Sequence, residues 1–200
     1  MSAPRLVVMA GGSASGKSTL ARLLQERMPD RLLLLQHDRY YRTLANPETA
    51  DFDHPDALDT DLLVQNLDEL MAGRPTALPV YDFPQHRRKE ETETVAPRPI
   101  LLVEGILTLA HGPLAQRADL RVFVHADADV RLARRLRRDL ARRGRTLDSV
   151  LQRYLTQVRP GHLDFVEPSR GSAHLVLDGE GPVEDALASL EAAVRGLLQP

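Results

Sequence analysis

A chain of 200 residues with 42% hydrophobic content is long enough to bury the core of one α/β domain and too short for several domains of ordinary size. The absence of cysteine excludes disulfide scaffolds and thiolate metal sites, and a formal net charge of -2 argues against a general nucleic-acid binder. No apolar run approaches a membrane span, and the segment after Arg5 is shorter than a signal-peptide core, so a cytoplasmic location is expected.

The first element is an apolar run ending at Ala10, expected as a strand over 6–9. Residues 11–19 then read GGSASGKST: Gly11, Gly12, Ser13, Ala14, Ser15, Gly16, Lys17, Ser18 and Thr19. Glycines let the backbone turn sharply and aim its N–H groups inward, and the helix expected over 17–28 offers its positive N-terminal end to phosphate. In such a loop Lys17 reaches the β- and γ-phosphates and the Ser18 hydroxyl can ligate Mg²⁺. Further strands are expected over 32–35, 100–103, 121–125 and 175–177, with helices over 60–72, 128–143, 147–158 and 183–198. This alternation predicts a parallel sheet covered on both faces. A proline-rich stretch, about 74–98, interrupts it; pieces 77–83 and 91–95 are expected to pair as a hairpin walling an acceptor pocket.

Two carboxylates follow strands. Glu104 closes the strand expected over 100–103, at the sheet edge where Mg²⁺ would be held directly or through water; a solvated strand-end acid is the plain alternative. Asp38 follows the strand over 32–35 and is the best candidate base for a hydroxyl acceptor, against the alternative of a turn cap.

Between 131 and 145 the chain carries eight arginines, at 131, 134, 135, 137, 138, 142, 143 and 145, against the single acid Asp139. On a helix Arg131, Arg135, Arg138 and Arg142 share a face, with Leu132, Leu136 and Leu140 expected as the buried stripe. A solvated face is the ordinary reading; a lid over 131–158 that closes guanidinium groups on a triphosphate is the sharper one. A nucleic-acid patch would need interleaved aromatics, which are missing. The few aromatics gather instead in the segments that follow Asp38 and form the proline-rich excursion: Tyr40, Tyr41, Phe52, Tyr81 and Phe83, with His86 beside them, suggest a flat ligand held by stacking.

These stretches resemble the uridine kinases (uridine/cytidine kinases) of the phosphoribulokinase-like P-loop kinases. The likeness rests on GGSASGKST, HDRYYR at 37–42, DFDHPDALD at 51–59, PVYDFPQH at 79–86, VEGIL at 103–107, DADVRLARRLRRDLARRGR at 127–145 and FVEPS at 165–169, in family order. It implies a P-loop NTPase fold in a single kinase domain, and transfer of phosphate from ATP or GTP, with Mg²⁺, to the 5′-hydroxyl of uridine or cytidine. By resemblance Asp38 is the catalytic carboxylate and Tyr41 a pocket aromatic. Asp53, beside Phe52, accepts from the ribose hydroxyls, joined there by Arg135. Tyr81, Phe83 and His86 hold and read the pyrimidine. Arg145 is a further substrate contact, Glu104 the Mg²⁺-associated acid, and Arg138 and Arg143 phosphate-facing lid residues. A homotetramer is also implied, with neither nucleic acid nor membrane as partner.

Three positions depart from the family pattern. Arg39 adds a charge between Asp38 and Tyr41; Arg153 stands for a nucleoside-contacting glutamine; and Asp178-Gly179-Glu180-Gly181-Pro182 replaces the usual proline-arginine-glycine loop. A guanidinium, being donor-only, does not reproduce an amide's acceptor. Arg153 thus leaves pyrimidine preference open, and the 178–182 loop leaves the choice between ATP and GTP open. The rival functions are a phosphoribulokinase-like sugar kinase, a nucleotide-dependent regulator without catalysis, and a weakened relative that only binds nucleoside.

Overall fold

The computed structural model describes residues 3–43, 50–142 and 144–199. Its frame is a five-stranded parallel sheet, built from β1 (Arg5–Gly11), β2 (Leu32–Gln36), β5 (Ile100–Glu104), β6 (Leu120–His125) and β7 (Leu175–Asp178), in the order β2-β5-β1-β6-β7. All five strands expected from the sequence are present, each one to three residues longer. The central strand β1 is buried on both sides, so its apolar residues run unbroken. Alternation divides them between two cores. Val7 and Met9 pack under α1 (Lys17–Arg27) and the C-terminal helix (Val183–Gly196), with Leu24 and Leu190. Leu6, Val8 and Ala10 face Leu63, Leu67 and Leu70 of α2 (Thr60–Met71) and Leu114 of α3 (Gly112–Arg117).

The proline-rich stretch forms the expected hairpin, with β3 (Thr76–Asp82) antiparallel to β4 (Arg87–Val95) and an irregularity between Pro79 and Tyr81. It forms its own two-stranded sheet but is tied to the turn after β2. Arg39 donates Nε to the Pro79 carbonyl at 3.0 Å and pairs with Glu93 at 2.6 Å. From the other side Arg88 donates to the carbonyls of Tyr40 (2.8 Å) and Tyr41 (2.9 Å) and pairs with Asp59 at 3.1 Å. The extra charge at position 39 is thus a tether for the hairpin.

Two expectations need correction. Helix α4 (Ala128–Arg142) has the expected extent, but its faces are reversed. Arg131, Arg135 and Asp139 form the buried stripe, Leu132 and Leu136 are half-buried, and Leu140 is exposed. Arg131 lies inside because its Nε donates to the Ala126 carbonyl at 3.0 Å, and Arg135 because its Nη1 donates to Ser13 Oγ while Asp139 faces its Nε at 3.6 Å. The helix expected over 147–158 is α-helical only in α5 (Leu147–Arg153). It continues in wide π-type turns at Tyr154–Val158 and His162–Val166, and helical turns run on to Ser172. Each wide turn ends two residues before a proline, Pro160 or Pro168, where the ring removes a backbone donor and crowds the preceding turn.

Candidate active site

The carboxyl ends of β1, β5 and β2 meet at one edge of the sheet, and each carries a piece of the site. After β1 the loop 11–16 enters α1 through Gly16, held at φ +106°, a conformation open to glycine at little cost. Gly12 matters for space: a Cβ there would sit 2.7 Å from Arg131 Nη1, so a buried guanidinium floors the loop. The Ser15 hydroxyl is buried and makes no hydrogen bond, and Lys17 is almost enclosed. A cavity of ≈ 540 Å³ opens here, lined by Ala14, Lys17, Ser18, Thr19, Arg134 and Arg138 among others. Its far wall is the 178–182 loop. Gly179 lies so close to the Ser15 carbonyl that no side chain fits, and its own carbonyl accepts from Arg134 at 2.7 Å.

At the tip of β5, Glu104 is buried and accepts a hydrogen bond from Ser18 Oγ at 3.1 Å. Burial raises its pKa, with Lys17 opposing the shift and Asp38 adding to it. One carboxylate beside one hydroxyl matches Mg²⁺, which takes few protein ligands and completes its shell with phosphate oxygens and water. Gly105 brings the β2 tip close: a Cβ there would meet His37 Cβ at 2.5 Å. His37 is buried and held neutral, its pKa lowered to about 3 by burial, and Nε2 bonds with Thr60 Oγ1 at 3.0 Å. That contact anchors the short turn His37–Tyr40, which carries Asp38. The negative charge of Asp38 acts on Glu104 on one side and on Tyr41 and Asp53 on the other.

Beyond Asp38, Tyr41, Phe52, Tyr81, Phe83 and His86 gather as expected, but Tyr40 turns into the core, fully buried, its hydroxyl donating to Asn66 Oδ1 at 2.9 Å. Tyr41 meets Phe52 edge-on at 5.3 Å and Tyr81 at 5.6 Å, while His86 lies against Phe52 at 5.0 Å. Phe83 touches Tyr81 at 5.2 Å but is 49% exposed, so it stands at the rim. Arg153 lies over the Phe52 ring, 5.9 Å from its centre, and burial lowers its pKa. The departure from glutamine therefore falls inside the aromatic cluster. Asp53 follows Phe52 directly, and its backbone packs on Gly161 between the two wide turns. Burial pushes its carboxyl up to about 6, with Arg135 working against the shift.

Arg135 bridges the two halves, donating to Ser13 Oγ at 2.8 Å while its Nε lies 3.6 Å from Asp139. Arg138 and Arg145 reach the same carboxylate, at 2.8 and 3.4 Å. In the sequence alone Asp139 is a lone acid in a basic segment, and nothing there marks it as the centre of this cluster. The side chain of Arg142 and the whole of Arg143 lie outside the described residues.

The pattern of the Phosphoribulokinase / Uridine kinase family matches residues 6–185. The chain belongs to this family. Its members are kinases, so the protein is a phosphotransferase. A uridine kinase of Chloroflexus aggregans is 45% identical over 97% of this chain and 98% of its own length. One from Alkaliphilus metalliredigens is 40% identical over 100% of this chain and 99% of its own. Among solved structures, phosphoribulokinase from Rhodobacter spheroides superposes with a TM-score of 0.65 at 15% identity, covering 90% of this chain and 74% of that one. D-glycerate 3-kinase from Cryptococcus neoformans gives 0.68 at 16%, covering 90% and 88%. At such identities the structures attest the shared kinase fold alone.

Proposed function

We propose that the protein phosphorylates the 5′-hydroxyl of uridine and cytidine, with ATP or GTP as donor. The observation that carries this reading is the position of Asp38 between two half-sites. Its charge reaches Glu104, beside the phosphate loop, and also Tyr41 and Asp53, in the aromatic cluster. The relatives named uridine kinase supply the substrate class.

In this mechanism the loop 11–16 and Lys17 hold the donor's phosphates, and Arg138 faces them from α4; by the family likeness Arg143 joins it. Ser18 and Glu104 would hold Mg²⁺, which neutralises phosphate charge when bound. Tyr81, Phe83 and His86 flank the base, with Phe52 and Tyr41 behind. Asp53 accepts from the ribose hydroxyls opposite Arg135, and Arg145 and Arg153 complete the polar side. The 5′-oxygen attacks the γ-phosphorus as its proton passes to Asp38, and the bond to the β-phosphate oxygen breaks. A carboxylate facing a cis-diol discriminates against the 2′-deoxy sugar, which leaves it short of a donor.

An ADP-release assay with uridine, cytidine, adenosine and ribulose 5-phosphate as acceptors, run with ATP and with GTP, tests the reading. Turnover confined to uridine and cytidine is expected. Turnover with ribulose 5-phosphate instead would make the protein a sugar-phosphate kinase. We also propose a cytoplasmic homotetramer, to be weighed by light scattering; no described helix is long and apolar enough to cross a membrane.

A further inference from the structure

Asp139 has no place in the mechanism above, yet its carboxylate is fully buried and receives arginines from both half-sites. Oδ1 accepts from Arg138 Nε at 2.8 Å, and Arg138 lines the donor cavity. Oδ2 accepts from Arg145 Nη1 at 3.4 Å and lies 3.6 Å from Arg135 Nε, whose other end holds Ser13 of the phosphate loop at 2.8 Å. The main chain closes the same ring: the Arg145 amide donates to the Asp139 carbonyl at 3.3 Å, fixing the turn that follows α4. Arg145 in turn faces Arg153 and Arg135 closely enough that their positive charges oppose one another.

Three like charges, one buried and two half-buried, converging on one point need a common counter-charge, and a guanidinium without a fixed partner samples many rotamers. We infer that Asp139 is a positioning residue, a single buried carboxylate that orients Arg138 toward the donor's phosphates and Arg135 and Arg145 toward the acceptor. Donor and acceptor arginines are then set before either substrate arrives, which lowers the reorganisation needed in the transition state. The inference rests on the proposed kinase reaction for its effect on rate, but not for the clasp itself.

Asp139→Asn keeps the shape and removes the charge. It should lower kcat at least about tenfold, with a smaller rise in the KM for either substrate and a native circular dichroism spectrum. In an Arg138→Gln/Arg145→Gln background the same change should alter kcat less than about threefold, because the two guanidinium groups that hydrogen-bond to it are gone. Equal losses in both backgrounds would reduce Asp139 to a structural residue and overturn the inference. If Asp139→Asn does not fold, NMR of the arginine Nε–H groups in the unsubstituted protein decides. Arg138 Nε–H should exchange with water far more slowly than that of a solvated arginine such as Arg137; equal rates would refute the clasp. A lack of turnover on uridine and cytidine by the unsubstituted enzyme would overturn the proposed reaction, while the exchange measurement would still judge Asp139.

Discussion

Ser18 Oγ donates to Glu104 Oε2 across 3.1 Å, joining the first turn of α1 to the tip of β5. The pair sits between the phosphate loop and Asp38, where burial keeps the Glu104 carboxyl above its ordinary range. An acid raised in the folded state weakens folding as pH climbs past its unfolded value, so removing its charge relieves that cost. Glu104→Gln should therefore melt no lower than the unsubstituted protein at pH 8, while its rate falls steeply at every Mg²⁺ concentration. A melting temperature lowered by several degrees would show that the carboxylate holds the fold together.

Asp38→Asn should reduce kcat by about 10²–10⁴-fold, the usual contribution of a general base. Nucleoside binding, followed by calorimetry with uridine, should change little, because Tyr41, Phe52 and Asp53 remain in place. Full activity in the variant would remove Asp38 from proton transfer.

Asp53 supplies a pH dependence. Its carboxyl, at about 6 in the folded protein, is neutral on the acid side and loses its acceptor role there. The kcat/KM for uridine should fall as pH drops through about 6, and Asp53→Asn should abolish that limb along with most nucleoside affinity. The stability effect has the opposite sense. Between the ordinary value of 3.8 and about 6 the folded state holds a proton that the unfolded chain has released, so stability decreases as pH rises through that window.

Arg153→Gln should shift the KM for nucleoside by about two- to fivefold, the scale of a cation–π contact of about 0.5–1 kcal/mol. The ratio of uridine to cytidine turnover should move with it, since an amide both donates and accepts. Identical kinetics would show that the guanidinium over Phe52 does not meet substrate.

Arg39→Ala should loosen the hairpin. The bond to the Pro79 carbonyl is expected to contribute about 1 kcal/mol, and the pair with the exposed Glu93 less. Hydrogen exchange in β3 should quicken and nucleoside KM should rise with kcat little changed, whereas Glu93→Ala should leave exchange nearly as it was.

Much of the fold was readable in the chain. The strands centre on short apolar runs, with the glycine loop after β1, Glu104 ending β5 and Asp38 two residues beyond β2, so placing the strands also placed the site edge. Helix α4 was harder. Leu132, Leu136 and Leu140 recur at the same interval as Arg131, Arg135 and Asp139, one residue out of phase. Periodicity identifies the helix but not its inward face, and an ion cluster that satisfies itself can take the place of leucines. The helical turns over 159–172 went unread because Pro160 and Pro168 signal breaks, and wide turns absorb them. Where Arg39 and Arg88 reach could not be read at all, since both cross between segments far apart in sequence.

The seat of Gly179 against the Ser15 carbonyl gives the last β-segment a duty beyond completing the sheet. The nucleotide grip, made from the first residues of the chain, is buttressed by some of the last. A lesion near the carboxyl terminus that unseats this loop would thus disable capture of the donor nucleotide while leaving the aromatic pocket intact, a defect easily mistaken for damage at the amino-terminal end.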